Sequence, residues 1–386
     1  MQAVSLFSGI GGIEYGLERS GIRSTFFCEI DPLARAILRR QFPNASLHDD
    51  ITTLNNLPDA DIVTAGFPCQ DLSQAGGKKG LEGGKSGLVK KLLSLIEEKP
   101  LSKRPPWILI ENVPYMLRLN RGNAMTFVTD ELSRLGYKWA YRVVDARSFG
   151  LPQRRPRVVL LASLVERPQN ILFVDNFKEP DVDGKPNNVE GASAFGFYWT
   201  EGKRGVGWAR EGVPPIKCGS TLGIASPPAV WLPQQAFFGT IDIKDAERLQ
   251  GFPEGWTDFS KDGIDARQSY RWRLIGNAVS TNLSTWVGQR IQSEIEEASF
   301  VFSPLDKDRA WPDAAFGDES GSFKAEISRW ASNSEQKLLS SFLRSELKPL
   351  SRRATLGFLG RAMECTNVVY SKVFLDALKD HAETMA

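Results

Sequence analysis

Ile62-Val63-Thr64-Ala65 is followed directly by Gly66-Phe67-Pro68-Cys69-Gln70, so a short apolar run ends in a turn that carries a cysteine. An apolar, β-branched run bounded by Gly and Pro is typical of a buried central strand, and sites in open α/β sheets lie at the carboxyl ends of such strands. Pro68 has no backbone N–H, so strand pairing ends just before the thiol. Cys69 is therefore a candidate nucleophile, and the alternative is the small buried hydrophobe that most cysteines are.

The same kind of pattern continues through residues 1–165, where short apolar runs alternate with helical periodicity. Such alternation predicts repeated βαβ units and hence the α/β fold class with a mostly parallel sheet. The predicted strands are Ala3–Phe7, Thr25–Glu29, Ser46–His48, Asp61–Ala65, Trp107–Glu111, Tyr137–Asp145 and Arg157–Ala162. The predicted helices are Ile13–Ser20, Pro32–Gln41, Gly87–Glu98 and Met125–Leu135.

The rest of the chain divides by composition. After about Val165, Gly, Pro, Asn and aromatic residues become frequent and helical periodicity disappears, which indicates a second, loop-rich domain. A helical pattern over Ser280–Ala298 returns to the first domain, whereas Ser303–Gly321 reads as a linker before two amphipathic helices, Glu335–Leu347 and Val368–His381. We expect a catalytic, cofactor-binding domain over 1–164 that is completed by about 276–299, a smaller domain over 165–275, and a linker with a helical C-terminal extension over 300–386.

Composition restricts the classes of function. The chain has 48 basic and 46 acidic residues, so a nucleic-acid surface must come from local clustering rather than from the net charge of +2. Four cysteines without CxxC spacing indicate neither a metal site nor a disulfide framework, and only two histidines are available for acid–base chemistry. No stretch approaches the roughly 18 uninterrupted apolar residues of a membrane helix, and no signal peptide is evident, so we expect a cytoplasmic protein without a membrane partner.

The first three predicted strands end in residues suited to a nucleotide. Phe7-Ser8-Gly9-Ile10-Gly11-Gly12 lets the backbone approach a ligand closely, and Glu29, about 20 residues on, can accept hydrogen bonds from ribose hydroxyls. Asp50-Ile51 adds an acceptor and an apolar wall for an adenine ring. Solvated strand-end charges and a nicotinamide cofactor are the alternatives. Glu14 stands where the dinucleotide fingerprint has its third glycine, so S-adenosylmethionine, which has an adenosine and no pyrophosphate, fits better.

Two further motifs offer catalytic side chains. Glu111-Asn112-Val113 follows the apolar run Trp107-Ile108-Leu109-Ile110, so the Glu111 carboxyl projects from the same edge as the Cys69 thiol. Gln153-Arg154-Arg155-Pro156-Arg157 places three guanidiniums within four positions. Such a cluster suits a phosphate or a polar base edge, and a solvated face is the alternative.

Taken in order, the motifs resemble those of the cytosine-5 DNA methyltransferases, which depend on S-adenosylmethionine. The resemblance covers residues 1 to about 295 and rests on six motifs: Phe7-Ser8-Gly9-Ile10-Gly11, Gly66-Phe67-Pro68-Cys69-Gln70, Glu111-Asn112-Val113, Gln153-Arg154-Arg155-Pro156-Arg157, Arg248-Leu249-Gln250-Gly251-Phe252-Pro253 and Gly276-Asn277-Ala278-Val279-Ser280. It implies a Rossmann-like methyltransferase sheet, with residues 165–275 as the target-recognition domain and the C-terminal helical extension outside the match.

The resemblance also implies roles for individual residues. The Cys69 thiolate would add to cytosine C6, Arg155 and Arg157 would favour that anion, and Glu111 would hydrogen-bond N3 and the exocyclic amine through a carboxyl whose pKa burial raises. The residues implied to line the cofactor site are Phe7, Gly9, Gly11, Glu29, Ile30, Asp50, Ile51, Pro68, Leu88, Asn277 and Val279. Those implied to contact DNA are Gln70, Ser73, Gln153, Lys78, Lys79 and Thr221. Gln153 and Arg155 would also position the loop and the base.

The predicted activity is therefore methyl transfer to C5 of a cytosine in a specific sequence of double-stranded DNA. A duplex hides the ring faces of the base, so the enzyme must flip the cytosine out of the stack. The implied setting is a restriction–modification or related defence system, with other components of that system as further partners and a monomer acting on DNA. Two alternatives stay open: the same chemistry on structured RNA such as tRNA, and a catalytically silent DNA-binding homologue.

Overall fold

The computed structural model describes residues 1–67, 87–180, 186–201, 207–219, 225–307, 309–366 and 368–385. They form two compact units. Unit 1 contains Met1–Ser148, Pro156–Glu179 and Val279–Asn333, and unit 2 contains Phe149–Arg155, Pro180–Ala278 and Ser334–Ala386. Each unit is therefore assembled from three separate stretches of the chain.

Unit 1 is built on a ten-stranded sheet of order β12-β14-β13-β6-β7-β5-β4-β1-β2-β3. Numbered along the chain, its strands are β1 (Gln2–Leu6), β2 (Arg23–Cys28), β3 (Ser46–His48), β4 (Ile62–Ala65), β5 (Trp107–Asn112), β6 (Lys138–Asp145), β7 (Pro156–Ser163), β12 (Phe302–Pro304), β13 (Ala314–Asp318) and β14 (Gly321–Ala325). The first five strands pair in parallel, and the remaining five pair antiparallel from β7 outward. The mostly parallel sheet predicted from the sequence is thus one half of the observed sheet.

The central strands are buried on both faces, which explains their continuous apolar sequences. Every residue of β4 and β5 is buried, as expected where helices cover both sides of a parallel sheet. The helices of unit 1 are α1 (Gly12–Glu18), α2 (Pro32–Gln41), α3 (Gly87–Glu97), α4 (Asn123–Arg134), α5 (Gln169–Leu172) and α8 (Thr281–Gln292). α1 packs tightly on α8, since Gly16 lies against the Thr281 carbonyl and Gly288 against Ser20, leaving no room for a side chain.

Unit 2 is built on a five-stranded antiparallel sheet of order β15-β11-β10-β8-β9. Its strands are β8 (Phe195–Phe197), β9 (Ala209–Arg210), β10 (Ala229–Leu232), β11 (Phe237–Thr240) and β15 (Lys348–Pro349), and its helices are α6 (Ile243–Leu249), α7 (Gln268–Asn277), α9 (Leu339–Phe342), α10 (Arg352–Met363) and α11 (Lys372–Thr384). The core is aromatic: side chains of the sheet pack against Phe358 of α10 and Phe374 of α11.

The C-terminal part differs from its predicted organisation as a linker and separate extension. β13 pairs with β6, and β12 and β14 continue the sheet, because phenylalanines within 300–323 form a packed cluster over that end of it. β15, α10 and α11 belong to unit 2. The helix predicted over Glu335–Leu347 is wrong: only α9 forms there, and the Asp245 carboxylate binds the backbone N–H groups of Arg344 and Ser345.

No helix in the described part of the chain is long and apolar enough to span a membrane.

Candidate active site

Strand β4 leads toward Cys69, the candidate nucleophile, and the structure describes this part of the chain up to Phe67. Phe67 is buried beyond the carboxyl end of β4, and its carbonyl accepts a hydrogen bond of 3.1 Å from Nδ2 of Asn112. Asn112 is the last residue of β5, the neighbouring strand. This hydrogen bond ties the chain at Phe67 to the end of β5. The predicted site residues Pro68, Cys69, Gln70, Ser73, Lys78, Lys79 and Thr221 lie outside the described residues.

Glu111 and Arg157 form an ion pair at the same edge of the sheet. Arg157 Nε lies 2.8 Å from Glu111 Oε1, and both side chains are about nine-tenths buried, with 10% and 9% exposed. β5 and β7 run antiparallel with Glu111 opposite Val159, so the start of β7 brings Arg157 to the end of β5. A guanidinium beside a buried carboxylate stabilises its charge and orients it.

Gln153 and Arg155 have a different environment in unit 2. Gln153 is completely buried, donates through Nε2 to the Leu249 carbonyl at 2.8 Å, and accepts through Oε1 from Ile216 N–H at 3.2 Å. Arg155 donates to the carbonyls of Gly276 and Ala278 at 3.0 and 2.7 Å. The structure therefore gives both side chains contacts within unit 2, where they join the arginine-rich motif, the fourth of the six, to the last two motifs. The contact of Gln153 with DNA stays a prediction.

The glycine loop after β1 is closed by Glu29. The Glu29 carboxylate accepts from Gly9 N–H and from Asp31 N–H, both at 2.7 Å. Burial raises the pKa of Glu29, and these two backbone hydrogen bonds oppose that shift. The carboxyl is consequently fixed at the carboxyl ends of β1 and β2, beside the loop.

The loop itself has a backbone that favours glycine. Phe7, Gly9 and Gly11 all have positive φ, at 57°, 54° and 79°. A Cβ on Gly9 would meet no atom within 4 Å, whereas one on Gly11 would lie 2.6 Å from Phe42 Cε2. Gly9 therefore borders open space, and Gly11 is required for packing.

The segment after β3 adds a polar and an apolar side chain to the candidate cofactor site. Asp50 accepts from Thr52 N–H at 2.8 Å, and this hydrogen bond lowers the pKa of the Asp50 carboxyl. Ile51 is buried, but Ile30 is 69% exposed, which is unusual for a large aliphatic side chain. The carbonyls of Glu29 and Ile30 both accept from the Arg35 guanidinium, at 3.1 and 2.9 Å.

The remaining predicted cofactor residues belong to different units. Leu88 lies in the first turn of α3 and packs partly buried against the core of unit 1. Asn277 is the exposed last residue of α7 in unit 2, and Val279 is buried in unit 1.

Two residues with positioning contacts were missed by the sequence reasoning. Asn112 was part of its motif without an assigned role, and its side-chain amide becomes informative only once its partner, the Phe67 carbonyl beyond β4, is known. Arg35 lies on the helix after Glu29, and nothing in its sequence context distinguishes it from a solvated arginine.

In the described residues no group of three or more His, Cys, Asp or Glu side chains could hold a metal ion.

Solved methyltransferases share this fold. The structure of Dnmt2 methyltransferase from S. pombe matches 76% of this chain and 98% of its own, with a TM-score of 0.55 and 18% sequence identity. The Entamoeba histolytica methyltransferase EhMeth matches 77% and 99%, with a TM-score of 0.51 and 16% identity. The class is therefore the Rossmann-like methyltransferase fold, as predicted.

The sequence comparisons are more specific. Residues 1–194 match the family described as C-5 cytosine-specific DNA methylase. Type II methyltransferase M2.BsuMI of Bacillus subtilis (strain 168) is 58% identical over 380 residues, covering 98% of this chain and 97% of the relative. M.MspI of Moraxella sp is 30% identical over 307 residues, covering 75% and 69%.

The chain belongs to the C-5 cytosine-specific DNA methylase family. The predicted family and the predicted enzyme class, DNA (cytosine-5-)-methyltransferase, are confirmed. Membership implies a methyl donor and a DNA substrate, and it removes the nicotinamide alternative.

Proposed function

We propose that this enzyme transfers a methyl group from S-adenosylmethionine to C5 of a cytosine flipped out of a specific duplex sequence, through a covalent bond between Cys69 and C6. The observation that carries the proposal is the buried Glu111–Arg157 pair at the end of β5, next to the strand that leads to Cys69. A thiol and a buried carboxyl at adjacent strand ends are what addition to a cytosine ring requires.

The residues around the glycine loop fit the cofactor. The open space at Gly9 admits a ligand close to the backbone, and the Glu29 carboxylate beside it suits ribose hydroxyls. The exposed Ile30 offers an apolar surface to an adenine ring, with the Asp50 carboxylate as a nearby polar group on the next strand end. When bound, S-adenosylmethionine supplies an electrophilic methyl group.

The chain's own residues prepare the cytosine for that group. Cytosine C5 is a weak nucleophile until the Cys69 thiolate bonds to C6 and pushes electron density into the ring. Glu111, oriented by Arg157, accepts a hydrogen bond from the exocyclic amine, and in its protonated form it donates its proton to N3 as negative charge builds there. After C5 is methylated, the C5 proton leaves to a base or water, the C6–S bond breaks to release the thiolate, and N3 returns its proton to Glu111.

Cys28, another cysteine in the described part of the chain, is poorly suited to act as the nucleophile. Burial and nearby carboxylates raise the pKa of the Cys28 thiol to about 12, so it stays protonated at neutral pH. Cys218 is exposed and provides a matched control for substitution of Cys69.

The test is incubation of wild type, Cys69→Ser and Cys218→Ser with labelled S-adenosylmethionine and either duplex DNA or purified tRNA, followed by mass spectrometry of the nucleosides. We expect 5-methylcytosine in DNA from wild type and Cys218→Ser, and a loss of at least about 100-fold with Cys69→Ser. Absence of 5-methylcytosine with wild type, retained turnover by Cys69→Ser, or preference for tRNA would contradict the proposal. Bisulfite sequencing of the product identifies the target sequence.

We further propose that the enzyme serves restriction and modification in the cytoplasm and acts on DNA as a monomer. The 58% identity to a Type II methyltransferase over nearly the whole chain supports this setting. Light scattering of the enzyme with one equivalent of duplex tests the stoichiometry.

A further inference from the structure

The segment after β5 exposes three side chains close in sequence to Glu111. Tyr115 is 63% exposed, and Arg118 and Arg121 are both exposed. They lie on or between the 3₁₀ turn Pro114–Leu117 and the kinked segment Leu119–Gly122, which are anchored by buried leucine and methionine side chains. We name Tyr115, Arg118 and Arg121 the 115–121 surface. It belongs to the carboxyl edge of the sheet, where the reaction takes place.

The two arginines carry charge that the protein does not neutralise. In the described part of the chain, neither Arg118 nor Arg121 has a carboxylate within 4.0 Å, although ion pairs are frequent elsewhere in unit 1. The acidic residues nearest in sequence are engaged elsewhere: Glu111 pairs with Arg157, and Asp130 pairs with Lys307 at 2.6 Å. The 115–121 surface is therefore locally positive on a chain whose net charge is only +2.

The backbone holds this surface in a strained conformation. Asn120 and Arg121 have φ of 50° and 60°, a left-handed region that non-glycine residues rarely adopt, and Gly122 follows at 91°. A Cβ on Gly122 would lie 2.5 Å from Cδ1 of Trp311, whose buried ring closes the turn from the segment before β13. Strain of this kind persists where packing imposes it and is concentrated at functional sites.

From these observations we infer that the 115–121 surface binds the backbone of duplex DNA, with Arg118 and Arg121 on phosphates and Tyr115 against the sugar or an adjacent base. The inference rests on the proposed function because duplex DNA is the ligand. Phosphate contacts fix the register of a protein on the duplex without reading its sequence. Such contacts beside Glu111 would hold the duplex while a base is extruded.

The experiment measures equilibrium binding of a fluorescein-labelled random-sequence duplex across a salt series, for which no turnover is needed. Arg118→Gln/Arg121→Gln is expected to raise Kd about tenfold and to lower the slope of log K against log salt by about 2, because each phosphate contact contributes roughly 0.9. Arg118→Lys/Arg121→Lys should keep the wild-type slope. Tyr115→Ala should raise Kd with the slope unchanged, since it removes no charge.

Arg39→Gln/Lys103→Gln is the matched control. It removes two charges from the end of α2 and the segment before β5, at the opposite edge of the sheet, and should leave the slope at the wild-type value. A wild-type slope in Arg118→Gln/Arg121→Gln, an equal decrease in the control, or no duplex binding by wild type overturns the inference. Circular dichroism confirms that each variant is folded. Failure of the proposed function would instead appear as a lack of 5-methylcytosine from wild type, whatever the binding slopes are.

Discussion

At the scale of single residues, the decisive contact is the one between Glu111 and Arg157. Both residues were candidates from their motifs, but Arg157 was expected to act on the Cys69 thiol and its pairing with Glu111 was not anticipated. The reason is register: the two residues are 46 positions apart, and only the antiparallel alignment of β5 with β7 brings them within 2.8 Å. We therefore expect substitutions of Glu111 and Arg157 to have non-additive effects on the free energy of unfolding.

Removing the cation from this pair should be costly. Arg157→Met leaves the Glu111 carboxylate buried without it and is expected to lower the free energy of unfolding by about 3 kcal/mol. Glu111→Gln/Arg157→Met should recover part of that loss. Urea unfolding of Arg157→Met, Glu111→Gln and the double variant gives the coupling energy. Arg134→Met breaks an exposed pair with Glu97 and should cost less than about 1 kcal/mol; equal losses at both sites would contradict the prediction.

Glu14 is a second residue whose environment carries a prediction. Its side chain is fully buried in α1, and the Thr64 hydroxyl donates to Oε1 at 2.7 Å. Burial raises the pKa of the carboxyl above its ordinary value of 4.5, and the hydroxyls of Thr64 and Ser5 oppose this less strongly. The folded chain therefore keeps a proton that the unfolded chain releases, so the stability contributed by the protonated group is full below about pH 4.5 and is lost as pH rises through the folded pKa.

Glu14→Gln cannot ionise and should remove this pH dependence. We expect the variant to be more stable than wild type at pH 8 and the difference to shrink toward pH 4, measured by urea unfolding across that range. Glu98→Gln, at an exposed position after α3, is the control and should change stability by less than about 0.5 kcal/mol at either pH. A difference between Glu14→Gln and wild type that is independent of pH would show that the carboxyl ionises alike in both states.

At the scale of elements, the glycines of the loop between β1 and α1 serve two purposes, which are access for a ligand and close packing. The sequence predicted that its glycines admit a ligand, and the structure distinguishes them: Gly9 borders open space, while Gly11 packs on Phe42. The two glycines differ because α2 ends at Gln41 and places Phe42 against Gly11.

Alanine at each glycine should separate the two purposes. Gly9→Ala places a methyl group in the open space and strains a φ of 54°, so we expect at least a tenfold loss of S-adenosylmethionine affinity with a stability loss of only about 1 kcal/mol. Gly11→Ala should cost about 2–3 kcal/mol through overlap with Phe42. Calorimetric titration and thermal unfolding check both. Equal stability losses, with the affinity of Gly9→Ala unchanged, would contradict this assignment.

At the scale of the whole molecule, the C-terminal residues are part of both units rather than an appendage. Residues 302–325 extend the sheet of unit 1, and α10 and α11 complete the aromatic core of unit 2. Amphipathic periodicity indicated helices near the end of the chain, and α11 forms at Lys372–Thr384 close to the predicted Val368–His381. Periodicity could not show what the apolar face packs against.

The core position of α11 makes a clear prediction. Phe374 is completely buried among Phe197, Trp208 and Trp231, so Phe374→Ala should lower the unfolding free energy of unit 2 by about 3–5 kcal/mol. Val373, its neighbour, is 62% exposed, and Val373→Ala should cost less than about 0.5 kcal/mol. Denaturant titration followed by tryptophan fluorescence measures both. A small loss with Phe374→Ala would show that α11 is dispensable for unit 2.

The sequence by itself determined the family, the enzyme class, the parallel half of the sheet and the strand ends that carry Glu29, Asp50 and Glu111. These depend on local signals, since apolar periodicity, turn residues and motif order are written within a few positions of each other. Only the tertiary structure decided the Glu111–Arg157 pair, the burial of Gln153 and the place of residues 300–385 in the two units. Those features depend on strand register and on packing between segments that are far apart in the chain. A local sequence pattern carries no information about either.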